Sequence, residues 1–305
     1  MSTRRLAKMR LWEALVGYMF VAPLVIYLIV FQFIPMGMTL YFSLTKWNMR
    51  TPPTWVGLAN YRNLLTNHVL YPNFWPSLLV TVKYVLFYLP LSLAVPLFLA
   101  LLLNARVKGQ GVFKTLYYIP CVTSSVAVIA MWKWLLDPLY GLVNRVIAAL
   151  PWINHLLGQH AWLKEPRTVL PCLAGIAVWA GIGGGILIYL AALKSIPGEL
   201  YEAAAIDGAT WTGTLRRVTL PLLKPAFFFL LVTGFIGSFQ VFDAVYLVDS
   251  TGGANGATLT YVVSLYNHAF RYFEMGTAAA MSYLLLLVLV VVTFLNFRFV
   301  PQNYE

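Results

Sequence analysis

Few side chains in this sequence are equipped for chemistry, and they are unevenly placed. Three of its ten acidic residues, Glu199, Glu202 and Asp207, fall within nine consecutive positions, around Ala203, Ala204 and Ala205 and just ahead of Gly208 and Ala209. Carboxylates beside such small side chains suit contact rather than catalysis. The alanines let another surface come within backbone distance, and the acids pair with Arg or Lys on that surface. A helix made to rest on lipid would carry bulky apolar residues on one face and basic ones on the other. A fourth acid, Asp243, stands in a long apolar run three residues after Gln240. A carboxylate cannot snorkel far, so Asp243 is expected to line a water-filled path, pair with a cation of a partner, or cap a helix break. Trp179, Gly184 and Tyr189 share another apolar run with Gly175, Gly181, Gly183 and Gly185. The Gly181–Gly185 spacing fits close helix packing; the alternative is a local break that exposes backbone groups to a substrate near mid-membrane. Sugars suit such a site, because aromatic rings cover their C–H faces while neutral polar groups bond their hydroxyls.

The chemistry that is missing narrows the function. No G-x-x-x-x-G-K-S/T phosphate loop occurs, and the dipeptide Gly-Lys is absent altogether. ATP, if used, must be bound and hydrolysed by another polypeptide. No Cys/His cluster has metal spacing. His68, His155, His160 and His268 read as loop histidines, and Cys121 and Cys172 as small buried hydrophobes. Neither an enzyme nor a bound cofactor or metal is expected.

The elements that carry these residues are set by the solvent. Of the 305 residues 60% are hydrophobic and 10% charged, whereas a soluble domain is about a quarter charged. Lipid is therefore the main solvent. Six stretches reach the roughly 20 apolar residues that a spanning helix needs: 14–33, 77–103, 115–135, 168–193, 225–248 and 277–300. Short alternating segments, which a β-barrel would need, are absent. The fold class is all-α: one polytopic transmembrane domain over 14–300, between a cytoplasmic 1–13 and a cytoplasmic 301–305. The first apolar run is longer than a signal-peptide core and leads into Phe33-Ile34-Pro35, so an uncleaved anchor is expected.

With the N-terminus inside, twelve of the 21 Lys and Arg fall on the inner side, including Arg4, Arg5, Lys8, Arg10, Arg106 and Lys108, and seven on the outer side. Lys83 and Lys133 lie toward outer span ends, where they can snorkel. The inner segments are also shorter, so the density of basic residues is roughly threefold higher there, as the positive-inside rule expects. The net charge of +11 is thus a topology signal rather than a nucleic-acid footprint. Trp47, Trp55, Trp75, Trp132, Trp134, Trp152 and Trp162 gather on or near the outer side. They suit an interfacial belt with packed lids, or a platform for an extracytoplasmic partner.

The loop 194–224 is the one long inner connection. Pro197 suits a first helical turn with Ser195 as its cap, Glu199 and Glu202 favour the helix N-terminus, and Gly208 can end the helix. Thr210 then caps a second short helix through Arg216 and Arg217, before Pro221 and Pro225. At these residues the sequence resembles a known family. Glu202-Ala203-Ala204, Asp207-Gly208-Ala209, Leu220-Pro221 and Pro225 are similar to the EAA loop of ABC importer permeases. In that family the loop holds the coupling helix, which docks into a groove of a cytoplasmic ATPase. Trp55-Val-Gly-Leu-Ala-Asn-Tyr61, Ser238-Phe239-Gln240-Val-Phe242-Asp243, Gly252-Gly253 with Ala257-Thr258, and Tyr266 to Ala280 resemble carbohydrate permeases of the maltose-transporter type. The likeness is greater to the first of the two paired subunits. Departures are Ala254, where relatives carry proline, and the cluster Gly183-Gly184-Gly185, where bulkier residues are common.

The resemblance implies a type I ABC importer permease fold in a bacterial-type plasma (inner) membrane: six transmembrane helices and a cytoplasmic coupling helix that uses Glu199, Glu202, Ala203, Ala204, Asp207, Gly208, Ala209 and Pro221. It implies a second permease subunit in a heterodimer, two cytoplasmic ATPase subunits that hold ATP and Mg, an extracytoplasmic solute-binding protein, and a sugar or oligosaccharide as cargo. Glycerol-3-phosphate is the nearest alternative cargo. An ion-coupled secondary transporter is the alternative class, and it leaves the EAA helix unexplained.

Overall fold

A computed structural model describes residues 3–105, 109–158 and 160–299, with side chains from Trp12 onward except at 156, 157 and 299. Arg106, Lys108 and the expected terminal segment 301–305 lie outside the described residues, and Arg4, Arg5, Lys8 and Arg10 are described as backbone alone. The chain divides into two compact units, one formed by the residues up to Leu70 with Asn267–Leu287, the other by Tyr71–Tyr266 and the residues from Val288.

In the first unit α1 (Thr3–Leu28) passes through a π-helical turn, Ile29–Phe33, into α2 (Ile34–Ser43). Pro35, at the start of α2, has no N–H to return and would clash with the preceding turn, so the helix widens there instead of breaking. The apolar part, Trp12–Ser43, is 32 residues long, well beyond the expected 14–33. It buries nothing over its most apolar window, so its side chains face lipid or another chain. Below it β1 (Thr45–Lys46) pairs antiparallel with β2 (Thr54–Trp55). The Asn60 amide then donates to the carbonyls of Ser43 at 2.8 Å and Thr45 at 2.9 Å, and the Tyr61 hydroxyl donates to Ser43 Oγ at 2.8 Å. The Trp55–Tyr61 motif is thus a latch that ties α3 (Ala59–Thr66) to the end of α2. Gly276 closes the same knot: a side chain there would run into the Thr45 carbonyl.

The second unit is built on α4 (Phe74–Asn104), α5 (Gln110–Val122), α6 (Ser125–Leu135), the short α7 (Leu142–Ala149) and α8 (Pro151–Leu157), and α9 (Val169–Lys194). Its centre is the α4–α9 pair, where Ala100, Leu103, Ile186 and Leu190 share one buried cluster. The glycines of α9 do not break it. A Cβ on Gly183 would lie 2.5 Å from the Tyr117 carbonyl of α5, and one on Gly185 would lie 2.8 Å from Pro96 of α4. Glycine lets both neighbours reach the backbone of α9, so the cluster is a packing platform and the local break considered for this run does not occur.

The breaks lie elsewhere. The expected single span 115–135 is two helices, α5 and α6, bent by 100°. Pro120 weakens the end of α5, Thr123 is extended, and the Ser124 hydroxyl caps α6 by accepting from the Ala127 amide at 3.4 Å. After the loop helices α10 (Gly198–Ile206), α11 (Trp211–Thr214) and α12 (Leu220–Leu222), the fifth stretch is α13 (Lys224–Phe239), three non-helical residues, and α14 (Asp243–Val248). The chain ends through α15 (Tyr261–Tyr266) and α16 (Met275–Phe299).

Candidate functional site

The two breaks meet. A cavity of about 520 Å³ opens where the α5–α6 elbow, the gap before α14 and the middle of α4 and α9 converge. From α4, Tyr88 reaches the cavity, its ring stacked on that of Tyr84, which is buried in the core behind it, with centroids 5.8 Å apart and planes 7° apart. The α9 face opposite is low: Ala177, Ala180 and Gly181 leave room. Neutral polar groups enter from Thr123, Ser125, Ser238 and Gln240. The charge comes from Asp243, first residue of α14, whose carboxylate accepts from the Ser125 hydroxyl at 3.3 Å. At that position it also faces the positive end of a helix. A smaller void of about 200 Å³ shares Tyr88 and Gly181 and continues past Ser92, Pro96 and Gly185.

Of the expected path residues, the structure brings Gln240 and Asp243 to the cavity and leaves Trp179, Gly184 and Tyr189 out of its lining. An unbroken α9 decides this. Trp179 turns toward α6 and meets the edge of Trp132 at 5.6 Å. Tyr189 is fully buried in the α4–α9 core, and Gly184 has open space beside it. Tyr84, Tyr88 and Ser125 were missing from the expectation. The run Pro120–Ser125 was the available signal, since proline followed by capping residues marks an interrupted helix. Of the tryptophans, Trp132 and Trp162 pack around the Val128–Ile176 core, while Trp55, Trp134 and Trp152 stay exposed. Trp162 belongs to a small lid: its indole donates to Asn144 Oδ1 at 2.7 Å. Beside it, the Ala161 amide and then His160 hold the Glu165 carboxyl below the usual range.

The cavity wall includes Cys121, whereas Cys172 lies outside it. In a Cys172→Ala chain, a small polar thiol reagent is expected to modify Cys121, and cargo to slow that reaction. Equal rates with and without cargo, measured by mass spectrometry, would place Cys121 off the path.

The loop helix stands apart from this cavity. Its start is Pro197, with no side-chain cap, and Ser195 instead donates back to the Ala192 carbonyl at 2.8 Å, so Ser195 closes α9 rather than opening α10. Its end is a Schellman turn. The Ala209 amide donates to Ala204 O at 2.9 Å and the Gly208 amide to Ala205 O at 3.1 Å, with Gly208 left-handed at φ 71°. Thr210 caps α11, accepting from the Gly213 amide at 3.3 Å. No residue of α10 is buried. Ile206 is 86% exposed and Trp211, just beyond it, 72%. Glu199, Glu202, Ala203, Asp207, Gly208 and Ala209 are exposed with them, Ala204 is half-buried, and Pro221 lies in α12.

Residues 92–302 match the family described as the inner membrane component of binding-protein-dependent transport systems. The chain belongs to this family. It is a multi-pass inner-membrane transport component of an ABC importer, a permease rather than an enzyme. Among relatives, it is 37% identical to a probable ABC transporter permease protein, YesP, of Bacillus subtilis, over 94% of this chain and 90% of that one. It is 33% identical to the lactose transport system permease protein LacF of Rhizobium radiobacter, over 97% and 98%. The sn-glycerol-3-phosphate permease UgpA of Yersinia pestis is 32% identical, over 94% of each chain. The fold matches a bacterial ABC transporter involved in import of the acidic polysaccharide alginate, with a TM-score of 0.81 at 23% identity, covering 97% of this chain and all of that one.

Proposed function

We propose that this permease carries a neutral sugar or oligosaccharide. The observation that carries the reading is the lining of the 520 Å³ cavity: the Tyr88 ring, neutral hydroxyls and an amide, with a carboxylate as its charge and no Lys or Arg among the described lining residues. Rings and neutral donors match a sugar's two faces, and Asp243 can accept from sugar hydroxyls. A phosphate would meet repulsion there, which weighs against glycerol-3-phosphate although UgpA is a relative. Asp243→Ala should raise the KM for cargo roughly tenfold or more, the value of a hydrogen bond to a charged group. Asp243→Lys should stop sugar uptake.

In this reading both termini are cytoplasmic, and a solute-binding protein delivers cargo to the opposite side. A second, different permease chain closes the path, and two ATPase subunits bind ATP and Mg. The ATPase receives α10 in a cleft, with Glu199, Glu202 and Asp207 meeting its basic side chains and Ala203, Ala204, Gly208 and Ala209 allowing close approach. The test is uptake by vesicles containing the assembled complex, with labelled disaccharides and sn-glycerol-3-phosphate supplied in parallel. ATP-dependent sugar uptake is expected. Uptake driven by an ion gradient without the ATPase would overturn the class, and preference for the phosphate would overturn the cargo.

A further inference from the structure

The sequence places Lys133 near a span end, where snorkelling to the interface would account for it. In the structure its Nζ donates to the main-chain oxygen of Leu247 at 3.2 Å, in the last turn of α14. The ammonium therefore meets the negative end of a helix that belongs to a different span. Asp249, one residue past α14, is a charge near it. Its carboxyl is held below the usual range, chiefly by the Thr251 hydroxyl and in smaller part by Lys133.

The opposite ends of the same two helices are also joined. Ser125, first residue of α6, donates to Asp243, first residue of α14. Between these bonds Val128, Ile129 and Trp132 share an apolar cluster with Ala244, Leu247 and Val248. Each helix is at the same time cut off from its parent span, α6 by the 100° elbow and α14 by the three residues Gln240–Phe242. A six-residue helix has no stability of its own, so α14 holds its shape through what it touches. Lys133 is exposed, yet its ammonium bonds across the gap between two spans rather than standing free at the span end.

We propose that Lys133 is a positioning residue. Its bond to the Leu247 carbonyl clasps α14 to α6, so that the two half-helices lining the cavity, and Asp243 with them, move as one body during transport. The consequence for transport rests on the importer reading above, whereas the clasp itself does not.

Hydrogen exchange on the assembled transporter in lipid nanodiscs tests the clasp, comparing the wild type with Lys133→Met and Lys133→Arg. Methionine keeps the apolar stem without the charge, and arginine keeps the donor. In Lys133→Met, exchange at the amides of Tyr246–Asp249, which the turns of α14 protect, should rise about tenfold, as expected for loss of a hydrogen bond from a charged group, while α9 and α13 stay as they were. Cargo uptake should fall while ATP hydrolysis continues, and Lys133→Arg should restore both the protection and the uptake. Unchanged exchange over α14 in the methionine variant overturns the clasp. Raised exchange with normal uptake overturns the claim that joint motion matters. If the methionine variant does not assemble, Lys133→Gln, a neutral donor, should show a smaller rise at the same amides, and no rise overturns the proposal. Absence of ATP-dependent uptake in the wild type would count against the importer reading and leave the exchange result standing.

Discussion

A chain carrying Glu202→Lys and Gly208→Arg together is expected to enter the membrane and fold, yet to lose ATP-driven uptake by about a hundredfold or more. That factor corresponds to the 2–5 kcal/mol at stake when a charge at a buried protein contact loses its partner. The fold is spared because nothing among the described residues depends on those positions: Glu202 is exposed and a Cβ on Gly208 meets no atom within 4 Å. The internal cost is backbone strain at Gly208, whose φ of 71° is left-handed and costs a non-glycine residue roughly 1–2 kcal/mol. That strain loosens the Schellman turn, the reversed charge at residue 202 repels a basic cleft, and the arginine fills the space a partner needs. Co-purification of the ATPase and uptake should fall together, with the thermal transition of the permease little changed. If both survive, α10 is not the docking element.

The same small substitution at two adjacent glycines should have opposite signs. Gly183→Ala puts a methyl group 2.5 Å from the Tyr117 carbonyl and 2.9 Å from the Tyr118 Cα. Both are main-chain atoms of α5, so relief requires the helix to move, at a cost of about 2–3 kcal/mol. Gly184→Ala meets open space and gains helix propensity, so it should be neutral or stabilising by up to about 1 kcal/mol. Equilibrium unfolding in mixed micelles reads both. Equal effects would mean that α5 does not rest on α9 as described. Because Cys121 lies 3.1 Å from the same Cβ position, Gly183→Ala should also change the reactivity of that thiol.

Much of this protein is legible along the chain. The apolar runs identify a multi-span membrane protein, because the bilayer sets a length and every backbone group must be paired within it. The loop helix is legible for a related reason: its stop at Gly208 and the cap at Thr210 are local backbone chemistry, decided by two or three neighbouring residues. Where the local reading chose Ser195 as a cap, the competing bond to Ala192 was equally local and closer at hand.

The cavity is different in kind. Gln240 and Asp243 stand out because polar side chains are costly in lipid, whereas Trp179, Gly184 and Tyr189 join them only under the alternative to close packing, a local break at the glycines. In α9 they admit neighbours instead, which depends on where α4 and α5 run. Ser125 and Asp243 meet only because two separate interruptions come together in space. Nor does any local pattern tell a snorkelling lysine from one bonded to a carbonyl 114 residues away. The sequence determined the solvent, the helical class and the exposed loop that resembles a coupling helix, since these follow from composition and from residues within a few positions of one another. The tertiary structure alone decided which side chains share the cavity and what Lys133 holds, because those depend on the packing of helices that are distant in the chain.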